Sequence, residues 1–246
     1  MGTEVANYDE MLAKMAKAAA AVEKPSGTAI TVRAGLLQYN GNPVAGTKLD
    51  AIIVSSVHAN LYYEGKFDPN NLTSPVCFAY SPDGENMVPH PASSKPQADA
   101  CLGCPQNQWN SDPDGGRGKA CKNIRSLGLV PASTKAEDAA KAEVAVLKLP
   151  VMSVKGWQTY VQECTNLYSR PTLGVITQIG TVPDPKSQFK ITFENKGLLP
   201  MDVIMGLLPR MDEITETLQH VYEEPPEVTP EEQAAKDAKA SKAKKF

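Results

Sequence analysis

Residues 75–125 read PVCFAYSPDGENMVPHPASSKPQADACLGCPQNQWNSDPDGGRGKACKNIR, and the reading of this stretch decides the fold. It enters as a short strand, Pro75 to Tyr80, and leaves as another, Asn123 to Val130. Between them, Ser81 to Gly118 is rich in Pro, Gly, Asn, Asp and Ser and shows no hydrophobic period. A loop of that length inside a compact domain cannot pack a core alone and calls for either disorder or an internal staple. The cysteines offer one. Cys101-Leu-Gly-Cys104 is a C-x2-C pair on a tight turn, which aims two thiolates at one point. Sixteen residues separate Cys104 from Cys121, the spacing between the halves of a zinc ribbon. A ribbon would close with a second C-x2-C, but the third residue after Cys121 is Ile124, so the fourth ligand comes from elsewhere.

Cys77, in the strand before the loop, is the preferred fourth ligand because thiolates dominate closed structural sites. His90, held between Pro89 and Pro91, is the competitor. The expectation is one structural Zn2+ closing both the neck and the tip of an insertion at about 77–125. Four protein ligands leave no open position for catalytic water. A redox pair is disfavoured, since such sites open a helix after a buried strand. His58 and His220 sit in predicted regular elements and read as packing or surface histidines. Cys164, on the apolar face of a helix, reads as a small buried hydrophobe.

Working outward, Leu49 to Val57 is apolar on both sides and reads as a central strand. Thr28 to Leu37 alternates as a strand, Asn40-Gly-Asn-Pro43 is a turn, and Asn60 to Phe67 continues the sheet or begins a loop. On the other side, Ala142 to Leu149 is a strand after a polar loop. Ser153 to Tyr168 is an amphipathic helix with Ser153 as its N-cap. Gly174 to Thr181 and Gln188 to Glu194 are paired strands, and Met201 to Tyr222 is helical with a break at Pro209. Residues 1–24 read as an N-terminal helix, 25–222 as the folded domain, and 223–246 as a disordered tail without an apolar face.

The chain has 246 residues, 41% of them hydrophobic, and a formal net charge of −3. That balance argues against wholesale coating of nucleic acid by a basic protein but leaves room for a local basic groove. No stretch is apolar for long enough to span a membrane, and the N-terminus lacks the pattern of a secretory signal. A cytoplasmic location, with reduced cysteines, is expected. No nucleophile elbow, P-loop, zincin or dinucleotide motif is present, so no enzyme is expected. Asp112-Pro-Asp-Gly-Gly resembles half a calcium loop but lacks the later ligands, and reads as a turn.

Arg117, Lys119, Lys122 and Arg125 fall within nine residues, with Trp109 just before them and Tyr62 and Tyr63 near the early strands. Cations that track phosphates beside aromatics that stack on bases are what single-stranded nucleic acid requires.

The segments Pro75-Val-Cys-Phe-Ala-Tyr80, Ala100-Cys-Leu-Gly-Cys-Pro105 and Gly116-Arg-Gly-Lys-Ala-Cys-Lys-Asn123 resemble zinc-containing single-stranded DNA-binding proteins of tailed phages. So do Leu147 to Tyr160 and the strand pair Gly174–Thr177 and Phe189–Phe193. The resemblance spans Leu49 to Phe193, and its cysteine segment is the most specific part. It implies an α+β fold: an OB-like antiparallel β-barrel with a zinc-stapled loop insertion and flanking helices. It also implies a non-catalytic protein that coats single-stranded DNA in phage replication or recombination, in the infected host cell. Replicative binders of this kind often end in an acidic tail with a terminal aromatic that docks replication or recombination proteins. Here Glu223, Glu224, Glu227, Glu231, Glu232 and Phe246 match, while Lys239, Lys242, Lys244 and Lys245 depart from the pattern. The alternative is a regulatory or interaction factor whose zinc loop binds a polymerase or other protein rather than DNA.

Overall fold

Strand β4, Lys48–Tyr62, is buried at four successive positions, Ala51 to Val54. Its alternate side chains enter two different cores. Ala51 and Ile53 join Leu127, Leu147 and Trp157, whereas Ile52 and Val54 join Leu173, Val203 and Leu207. A strand covered on both faces needs apolar residues at odd and even positions alike. The central strand expected from the sequence is this one.

The computed structural model describes residues 28–65, 73–113 and 115–222. The expected N-terminal helix of residues 1–24 and the tail of residues 223–246 lie outside them. The chain forms two compact units, which among the described residues comprise 28–56 with 125–218, and 57–124 with 219–222.

The remaining strands are β1 (Thr28–Arg33), β2 (Leu36–Tyr39), β3 (Asn42–Pro43), β5 (Cys77–Ser81), β6 (Lys122–Pro131), β7 (Ala145–Leu149), β8 (Val175–Asp184) and β9 (Gln188–Leu198). Their order is β3-β2-β1-β7-β6-β4-β8-β9, with β5 pairing on β4. β1 runs parallel to β7, with Thr28 opposite Ala145. The fold is therefore α+β with few helices, and its strongly curled sheet is a mixed half-barrel instead of the wholly antiparallel one expected. The expected single strand Thr28–Leu37 is a hairpin, turned at Ala34 (φ 50) and Gly35 (φ 78). The turn lets Ile30 and Leu37, which have opposite parity in the sequence, both enter the first core from facing strands.

Helix α1, Val151–Tyr168, starts two residues before the expected N-cap. Ser153 lies inside it, and its Oγ accepts the β9 amide of Ile191 at 3.0 Å. The buried face of α1 carries Trp157, Tyr160 and Cys164. Phe193 of β9 packs edge-on to Trp157 and stacks on Tyr160, at centroid distances of 5.3 and 5.6 Å. Cys164 is fully buried, as a small hydrophobe should be, and burial raises its thiol pKa. The expected C-terminal helix is divided. α2 (Met201–Leu207) gives way to a 3-10 turn at Leu208–Arg210, where Pro209 lacks an amide proton, and α3 (Met211–Thr217) follows. Regular helix stops there, short of the expected Tyr222. No helix among the described residues is long and apolar enough to cross a membrane.

Candidate metal centre and nucleic-acid interface

The second unit begins where β5 pairs with the outer half of β4, setting Cys77 opposite Tyr62 and Ser81 opposite His58. Beyond Ser81 the polar loop folds by returning to this hairpin. His90 N–H donates to the Phe78 carbonyl at 2.7 Å, and Lys95 N–H to that of Val76 at 2.8 Å. Cys101 N–H donates to the Met87 carbonyl at 2.8 Å, and Cys121 N–H to that of Gln106 at 2.8 Å. The loop thus satisfies its backbone locally, although it has no hydrophobic period.

Cys101 and Cys104 flank a tight turn whose Gly103 has φ 83, a conformation that favours glycine. Asn107 secures the turn, donating its amide to the Cys101 carbonyl at 3.0 Å. A 3-10 turn at Pro105–Asn107 follows. Cys77, Cys101, Cys104 and Cys121 all line one cavity of about 10 Å³, with Asn60 and Tyr62 beside them. That is room for about one water-sized species. As they stand, no three His, Cys, Asp or Glu side chains among the described residues are set at metal-ligating geometry.

Burial is the first influence on the Cys77, Cys101 and Cys121 thiols. Burial pushes the Cys121 thiol up to about 12, and the charges of Cys101, Cys77 and Cys104 push the same way, opposed by the Lys119 ammonium. Burial also raises Cys77, against hydrogen bonds from the Gln97 backbone and the Ser93 hydroxyl. It raises Cys101 against one from Asn60. Burial outweighs those bonds at both thiols, and a set of four sulfur donors suits a thiophilic cation. His90 stands apart from the cavity lining. It stacks on Phe78 with ring centroids 5.0 Å apart, and its Nδ1 accepts the Ala92 amide at 3.1 Å.

The cations divide into different environments. Arg117 is exposed. Lys119 is half-buried, bonded to Asn107 Oδ1 at 3.2 Å and Asn123 Oδ1 at 3.0 Å, and sits over the Trp109 ring at 5.5 Å. Lys122 donates to the Lys119 carbonyl and pairs with Asp112 at 3.5 Å. Arg125 belongs to the other unit, where it lies opposite Leu149, and burial lowers its pKa. Trp109 is 72% exposed. Tyr62 faces the thiol cavity, while Tyr63 is 36% exposed, its ionisation pushed up to about 12 by burial and then by Tyr222. Phe78 also meets Tyr222 edge-on at 5.2 Å, and the Tyr80 hydroxyl donates to the His220 carbonyl at 2.7 Å. Sequence reasoning missed the asparagines Asn60, Asn107 and Asn123, which no spacing rule singles out. Comparison with known families, curated proteins and solved structures finds no match.

Proposed function

We propose that this chain is a non-catalytic single-stranded DNA-binding protein that acts in phage replication or recombination, with an OB-type barrel and a loop stapled by structural zinc. Cys77, Cys101, Cys104 and Cys121 would hold the ion, which when bound cross-links the loop and keeps all four sulfurs as thiolates. The observation that carries the nucleic-acid reading is the exposed Trp109 beside two cations. The Lys119 ammonium lies 5.5 Å from its ring, and Arg117 is tied next to it by the Asn110 amide donating to the Arg117 carbonyl at 3.4 Å. A base stacking on the indole would bring its phosphate within reach of Arg117.

The test is a titration with a labelled oligonucleotide at two salt concentrations. Trp109→Ala is expected to cost about 1–3 kcal/mol and leave the salt slope nearly intact. Arg117→Ala is expected to weaken binding of every sequence and flatten the log–log slope by about 0.7. Wild-type protein without salt-sensitive affinity for single strands would overturn the reading. The second reading, a loop that binds a polymerase or other protein, would then stand. It is favoured by Leu102, which is 94% exposed at the tip of the cysteine turn.

A further inference from the structure

We infer that Lys119 is a positioning residue for the metal: its ammonium is the built-in counter-charge of four thiolates, held toward them by a relay of three asparagines. The inference rests on the zinc reading above. Zn2+ with four thiolates carries a net charge of −2, and burying that charge without compensation is costly.

The geometry of Lys119 suits such a partner. Its Nζ is held by two amide oxygens, Asn107 Oδ1 at 3.2 Å and Asn123 Oδ1 at 3.0 Å. Among the described residues no carboxylate stands within ion-pair distance of it. A half-buried ammonium is usually answered by an anion; the nearby Asp112 carboxylate is paired with Lys122, which leaves the thiols as the other groups able to become anionic. The amides that hold Lys119 also lead back to the site. Asn107 donates to the Cys101 carbonyl at 3.0 Å. Asn123 donates to Asn60 Oδ1 at 2.6 Å and to Asn107 Oδ1 at 3.0 Å. Asn60, only 7% exposed, donates its amide to Met87 Sδ at 3.5 Å and lines the cavity beside the cysteines. One relay thus connects β4, the loop and β6 and ties the ammonium to Asn107, which lines the cysteine cavity. The same ammonium sits over Trp109, so its position bears on both the metal and the exposed indole.

The experiment measures the affinity of the full chain for Co2+ and Zn2+ by chelator competition, with the thiolate-to-cobalt absorption band as a second readout. Lys119→Met keeps the aliphatic stem and removes the charge. It is expected to weaken both metals by about 10–100-fold, the range for outer-shell partners. Lys119→Arg is expected to restore most of that loss, which a merely packing role would not predict. Asn123→Asp gives the ammonium a carboxylate of its own and is expected to weaken metal binding likewise, even if Lys119→Met does not fold. Wild-type affinity in both Lys119→Met and Asn123→Asp would overturn the role of Lys119 and leave the metal site standing. A wild-type chain that develops no cobalt–thiolate band would overturn the metal site and this inference with it.

Discussion

At the scale of single residues, the same side chain means different things in different surroundings. Four cysteines share one small cavity, while the fifth, Cys164, is fully buried in an aliphatic and aromatic core. The acids divide in the same way. Asp184, at the β8–β9 turn, pairs with Lys190 at 2.6 Å and accepts bonds from the Ser187 hydroxyl at 2.8 Å and the Ser187 and Lys186 amides at 2.9 and 3.2 Å. Lys190 first, then Ser187, holds its carboxyl down to about 2. An acid depressed in this way contributes stability that is complete above its unfolded value near 4 and is lost as pH falls toward the folded value. Asp184→Asn is therefore expected to melt below wild type at neutral pH, with the gap closing between about pH 4 and pH 2. Thermal melts across that range check it. A gap unchanged down to pH 2 would show that the ionised carboxylate is not its source.

At the scale of elements, α1 and β9 are joined by a bond that sequence pattern assigned elsewhere. Serine ahead of an apolar helical period suggests an N-cap. Here Pro150 occupies that position and Ser153, 1% exposed, uses its hydroxyl to accept the Ile191 amide from the neighbouring strand. Ser153→Ala leaves that buried amide without its acceptor and is expected to destabilise the protein by about 1–3 kcal/mol. Urea unfolding measures this, and a loss within a few tenths of a kcal/mol would mean the amide finds another partner. The hairpin of β1 and β2 teaches a related point. Its turn is set by positive φ at Ala34 and Gly35, and the buried positions change parity across it, from Ile30 to Leu37.

At the scale of the whole molecule, the expected insertion of about 77–125 is part of a larger unit that begins at Val57 and also takes in residues 219–222. Those last residues carry Tyr222, edge-on to both Phe78 and His220, and the His220 carbonyl that receives the Tyr80 hydroxyl. Deleting residues 223–246 is expected to leave the thermal transition nearly unchanged, because their sequence has no face to bury. Deleting residues 219–246 removes the aromatic contacts on β5 and is expected to lower it. Two truncations compared by calorimetry decide the matter, and equal melting temperatures would show that Tyr222 adds nothing to the β5 hairpin.

What the sequence by itself determined follows from local periodicity and short spacing. The continuous apolar run of β4, the helical period of α1, the proline break after α2 and the long polar segment around the cysteines are all properties of neighbouring residues. C-x2-C spacing likewise fixes which two thiols share a turn. Only the tertiary structure decided what meets across the chain. It paired β1 with β7 in parallel, brought Cys77 and Cys121 to the same cavity as the cysteine turn, and turned His90 onto Phe78. It also drew Lys119 in to Asn107 and Asn123 while leaving Arg117 exposed, though both lie in one basic run. The physical reason is that periodicity records which face of an element avoids water, whereas a hydrogen bond or a shared cavity depends on distances between residues up to dozens of positions apart, which no local pattern encodes.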